Sequence, residues 1–153
     1  MRTNVLAKTE PWYSAYNTFN VDAQSGLNYA MQGPSAVITR QSTPWDWTGM
    51  NQFITDGRAA IQLALQYYIT ENTNYAILCQ KILDSWSSTL KVANGTEIIL
   101  GASLAGMNFV NAAEILRYNY AAWPAANIQK FESMIRDILY PAALPLPTMA
   151  YPW

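Results

Sequence analysis

From Gln52 onward the apolar residues recur with a helical period; over residues 20–50 they do not. Over residues 52–69 they fall at Ile54, Ile61, Leu65 and Tyr68, with Ala60, Ala64 and Tyr67 beside them, which predicts an amphipathic helix. Residues 70–74 are polar and predict a turn, with Thr73 as N-cap of a second helix. That helix is predicted to run to Val92 on Leu78, Ile82, Trp86 and Leu90 and to stop at Asn94-Gly95. A third covers residues 102–118, with Leu104, Phe109, Ala112, Ile115 and Leu116 inward. A fourth opens at Pro124, where the missing N–H costs nothing, and follows Ile128, Phe131, Ile135 and Ile138 to Pro141.

The flanks are less regular. Residues 4–19 predict a helix packing through Leu6, Trp12, Tyr13 and Tyr16, interrupted at Pro11. Residues 20–50 show no period and are punctuated by Gly26, Gly33, Pro34, Pro44 and Gly49, which predicts a long irregular loop. Pro141, Pro145, Pro147 and Pro152 predict an irregular tail over 141–153. Strand signals are weak throughout. Short connections between long helices force antiparallel neighbours. The expected fold is all-α, one domain over 1–153, with two antiparallel helical hairpins in series.

Composition narrows the function classes. Only 12% of residues are charged, nine basic against ten acidic and scattered, so no basic stripe points to nucleic acid or to an anionic membrane surface. No uninterrupted apolar run reaches the roughly 20 residues that span a bilayer, and the opening MRTNVLAKTEPW has no apolar leader core. The lone Cys79 shares a helical stripe with Tyr75, Ile82 and Trp86 and reads as a buried small apolar residue. Without histidine or a carboxylate cluster at ligand spacing, neither a metal nor a cofactor is expected. Asn94-Gly95-Thr96 is an N-glycosylation sequon and points to an extracellular protein.

Several segments in order resemble the alginate-lyase domain family. They are Glu10-Pro11-Trp12, Val37-Ile38-Thr39-Arg40, the paired helices from Gly57 to Arg117, and Trp123-Pro124 with Ile128, Phe131-Glu132 and Met134. The resemblance implies polyuronate-handling proteins built as a ring of helical hairpins, a partial (α/α) toroid, and an acidic polysaccharide or oligosaccharide as partner. It covers the front of the family's ring. The Asn-His, Tyr and Arg positions that carry β-elimination in the family fall after the equivalent of Tyr140-Pro141 and have no counterpart here. An incomplete ring further implies an uncovered apolar hairpin face, and with it either self-association or a missing second chain.

Candidate ligands follow from chemistry. Trp45 and Trp47 bracket Asp46 in the loop; exposed indoles stack on sugar rings while carboxylates and amides bond hydroxyls. Arg40 is suited to grip a uronate carboxylate, or else to pair with Asp46 or Asp56. Gln32 lies in the same loop. Asn108 and Asn111 interrupt an apolar helix on the face of Leu104 and Ile115 and are expected to point into a groove. Glu114 and Arg117 are spaced to pair with each other.

Overall fold

The computed structural model describes residues 1–144, and their fold is mostly helical. Its centre is α3 (Met50–Thr70), which starts after Gly49 and ends at Glu71, both left-handed. The chain returns antiparallel as α4 (Thr73–Thr89). Next, α5 (Ile98–Asn119) runs parallel to α3. Gly101 lies against Met50, a Cβ on Gly57 would sit 2.9 Å from the Phe109 ring, and the Tyr67 hydroxyl donates to the Asn119 carbonyl at 2.6 Å. Finally α6 (Ala125–Met134) runs back antiparallel to α5, with Arg117 3.2 Å from Glu132. The expected hairpins are α3–α4 and α5–α6. Phe53, Trp86 and Phe109, all fully buried, meet at their common centre; Phe53 stacks on Phe109 at 4.6 Å between centroids and meets Trp86 edge-on at 5.2 Å.

Polar residues on the first hairpin, two of them fully buried, tie other segments to it. The Asp56 carboxylate has zero exposure and accepts four hydrogen bonds. The donors are the Tyr29 hydroxyl (2.6 Å), the Gln32 and Gly33 amides (2.8 and 2.9 Å) and the Trp86 indole (2.7 Å). Burial, then the bond to Asp56, pushes the Tyr29 phenol up, so it stays a donor. Gly33 also packs against the Trp86 ring so closely that a Cβ would collide with it. Gln66, likewise buried, holds the N-terminal α2 (Trp12–Asn20): it accepts from Tyr16 and donates to Asn20. Asp84 holds α6 through Trp123 and Asn127.

The loop between α2 and α3 contains β1 (Val37–Thr39), β2 (Gln41–Ser42) and β3 (Trp45–Asp46). β2 and β3 form a small antiparallel ribbon, and β1 pairs in parallel with β4 (Val92–Asn94) in the α4–α5 connection. The expectation of a strandless loop is corrected, because three-residue pairings leave no periodic signal. They also change helix ends. α4 stops at Thr89, before Val92, because the Lys91 and Val92 amides donate to Ala36 rather than continuing the helix. Asn94-Gly95 therefore ends a strand, not a helix.

Other boundaries differ for local reasons. The N-terminal helix is divided into α1 (Arg2–Leu6) and α2; Val5 is buried, whereas Leu6 and Trp12 are exposed. On α3 the buried side is Phe53, Asp56, Ala60, Leu63 and Gln66, rotated from the expected stripe, and Tyr68 is exposed. The N-cap of α4 is Asn72, whose side chain accepts from Asn74; Thr73 is the first helical residue. Leu104 is 64% exposed. Pro141 does not end the last helix: a π-helical turn at Ile135–Leu139 leads into α7 (Tyr140–Ala143), with proline in its first turn. The tail expected over 141–153 is thus helical at its start, and its remainder lies outside the described residues.

Replacing Asp56 by Asn tests the central carboxylate. An amide presents one acceptor oxygen and one donor nitrogen to four donors, leaving about two of them orphaned. The expected loss is about 3 kcal/mol of unfolding free energy in a urea titration; a change within about 0.5 kcal/mol would show that the contacts are incidental.

Candidate functional site

The residues suited to a ligand gather where the α2–α3 loop meets the first turns of α3. The β2–β3 ribbon brings Trp45 onto Trp47, the indoles stacked 5.2 Å apart and 9° from parallel. Arg40 also lies against Trp47, its guanidinium carbon 4.6 Å from the ring centroid. Trp45 is 71% exposed, so one face of the stack is open to solvent. Beside it lies a cleft of about 450 Å³ walled by Gln32, Trp47 and Thr48 from the loop and by Asn51, Gln52 and Thr55 from α3. All its side-chain polar groups are neutral amides, hydroxyls or an indole.

The Asp56 carboxylate positions this wall from below. Its bonds to the Gln32 and Gly33 amides fix the loop backbone against α3, while the Gln32 side chain turns to the Ala30 carbonyl at 2.6 Å. Gly49, at φ 66°, makes the entry into α3, and a Cβ there would strike the Val37 carbonyl.

The charges are mostly spent internally. Asp46 accepts from the Thr48 amide (2.9 Å) and hydroxyl (2.8 Å), which hold its carboxyl below the usual carboxylate range. Arg40 pairs with neither Asp46 nor Asp56. Its partner is Glu97, at 3.6 Å from Nε, a charge contact too long for a hydrogen bond. Arg40 Nε and Trp47 Nε1 are buried donors without an acceptor. Two unsatisfied donors side by side are unusual in a folded protein.

Of the seven candidate ligands, Gln32 and Trp47 wall the cleft, while Trp45, Asp46 and Arg40 adjoin it. Asn108 and Asn111 are elsewhere. On α5, Asn111 is exposed, like Leu104 one heptad before it, and Asn108 is half-buried; neither is among the residues walling the cleft. The face of α5 that packs against α3 carries Ala102, Ala105 and Phe109 instead. Asn51, Gln52 and Thr55 were missed; Asn51 and Thr55, four apart at a helix start, were the available signal, but such polar faces are usually only solvated.

Elsewhere, an apolar groove of about 320 Å³ lies between α5 and α6, floored by Val110, Ala113, Trp123, Phe131 and Ile135, with Glu114 and Arg117 at its rim. Glu114 and Arg117 pair at 3.6 Å, as expected. Cys79 is buried against the Ala60 carbonyl, and burial pushes its thiol up, away from thiolate chemistry. Asn94 is exposed, although its side-chain oxygen accepts from Thr39. Among the described residues no three His, Cys, Asp or Glu side chains converge as metal ligands. Among the described residues one helix, α5, is long and apolar enough to cross a membrane, with a mean hydropathy of 1.4 over its best window; glycine, serine and asparagine interrupt its apolar run. Comparison with protein-family models, curated proteins and solved structures finds no match.

The Thr48 donors to Asp46 define a pH response. A depressed carboxylate contributes stability that is fully present above the unfolded value of about 3.9 and is lost as pH falls through the folded value. In Thr48→Val the hydroxyl donor is gone, and a carbon-detected NMR titration should show the Asp46 midpoint moving upward. An unchanged midpoint would mean that the hydroxyl is not a donor in solution.

Proposed function

We propose that this protein binds a polysaccharide or oligosaccharide chain across the open face of Trp45 and into the neighbouring cleft, holding it without cleaving it. The observation that carries this reading is the union of an exposed indole stack with a wall of neutral amides and hydroxyls. Indole faces take up the C–H faces of sugar rings, and amides and hydroxyls exchange hydrogen bonds with sugar hydroxyls. The resemblance to alginate-lyase domains supports a uronan as the chain and a reading of the two hairpins as the front of a partial toroid.

Cleavage by β-elimination needs a base at C5 and an acid at the bridging oxygen. No tyrosine is among the residues lining the cleft. Tyr29, the phenol bound beneath it, donates to Asp56 and is held protonated by burial. The site therefore has the groups to hold a sugar chain and lacks an evident base to break it.

Titration calorimetry with alginate oligosaccharides tests the reading. Trp45→Ala is expected to weaken binding at least tenfold, by about 1–3 kcal/mol for the lost stacking area, with the helical circular dichroism unchanged. Full affinity in that variant would remove the platform from the site.

A second reading, self-association as a helical scaffold, is favoured by the outer face of α5. Leu100, Leu104 and Met107 are each more than half exposed there, and Asn111 takes the next position of the same heptad-like stripe. A lone asparagine in such a seam fixes register between paired helices. Light scattering on the wild type and on Leu104→Glu decides it: a dimer that dissociates in the variant is expected, and a monomer at all concentrations ends this reading.

A further inference from the structure

We infer that Arg58 is the residue that reads the carboxylate of an acidic sugar chain; the inference rests on the binding reading above and names what gives that site its specificity. Arg40, the cation that the sequence singles out, is held by Glu97 and by the Trp47 ring. The walls of the cleft carry no charge. A uronan bound there would otherwise meet no free cation, only hydroxyl and amide partners and the ionised Asp46.

Arg58 supplies what is missing. It is exposed on α3, three residues after Thr55 and seven after Asn51, so all three share one side of the helix. At about 1.5 Å per residue the guanidinium is anchored roughly one turn beyond Thr55, in line with the cleft wall and on the side away from the N-terminus of α3. The packing of α3 leaves this stretch open: α1 and α2 cover Leu65 and Ile69 further along, while Asn51 and Arg58 remain exposed.

The pairing of the other arginines sets Arg58 apart. Arg2 pairs with Glu71, Arg40 with Glu97, Arg117 with Glu114 and Glu132, and Arg136 with Asp137. Of the five arginines in the chain, Arg58 alone has no ion pair among the described residues. A planar guanidinium with its donors unengaged matches a carboxylate through two parallel hydrogen bonds, and it costs no existing salt bridge to use it. A chain whose first rings lie on Trp45 and in the cleft would bring the carboxylate of a later ring to this arginine.

The test compares an alginate hexasaccharide with a neutral one, cellohexaose, by calorimetry at low and high salt. The proteins are the wild type, Arg58→Gln and Trp45→Ala, each first shown to be folded by circular dichroism. The expected result is that Arg58→Gln weakens alginate binding about tenfold, flattens its salt dependence, and leaves any binding of the neutral chain unchanged. Alginate binding of wild-type strength and salt dependence in Arg58→Gln overturns the assignment while the site itself stands, provided Trp45→Ala still loses affinity. Tighter binding of the neutral chain than of alginate by the wild type also overturns it. If neither chain binds the folded wild type, or if Trp45→Ala binds as well as wild type, the saccharide site fails and the role of Arg58 fails with it.

Discussion

A buried carboxylate must be surrounded by donors or it will not stay charged and buried, and Asp56 makes that requirement the organising constraint of this structure. Its four donors come from the long loop and from α4, so satisfying one side chain on α3 fixes where both must lie. Trp86 is thereby oriented to meet Phe53 and Phe109, which joins the two hairpins. Gln32 is held at the edge of the cleft by the same carboxylate. Core geometry and site geometry therefore share one origin.

The same device recurs with different chemistry. Gln66 uses an amide to hold α2, and Asp84 uses a carboxylate to hold α6. Each reaches from the α3–α4 hairpin to a segment added to it; α2 has no fully buried residue at all, whereas α6 also buries Phe131 and Met134. In a chain with so few charges, the ones placed inside act as anchors. Hydrophobic burial brings the hairpins together, and polar anchors choose the register of what is added to them.

The site follows from this division of labour. A rigid helix presents Asn51, Gln52 and Thr55, and a loop pinned from beneath presents Gln32 and Thr48. The ribbon projects Trp45 outward with Trp47 and Arg40 stacked behind it. A Trp at the tip of a flexible loop would lose more entropy on binding a sugar than one already stacked.

Period and punctuation in the sequence were enough to determine the four long helices, their pairing into antiparallel hairpins, the break near Pro11 and the burial of Cys79, because these depend on local spacing. The two tryptophans stood out for a similar reason: no periodicity required them to be buried. What the sequence did not contain is which side of each helix faces which neighbour. Leu104 looked inward and is exposed, as is Asn111, because apolar residues cover more than one side of α5 and only contact with α3 selects one. Asp56 is an ordinary acidic residue in the sequence, and its role exists only when residues 23 to 30 positions away converge on it. The same is true of β1 and β4, three-residue segments that become strands only by finding each other across 55 residues. Local patterns set the elements; long-range pairing of polar groups set their faces, their ends and the cleft, since those bonds are specified by partners that sequence proximity does not identify.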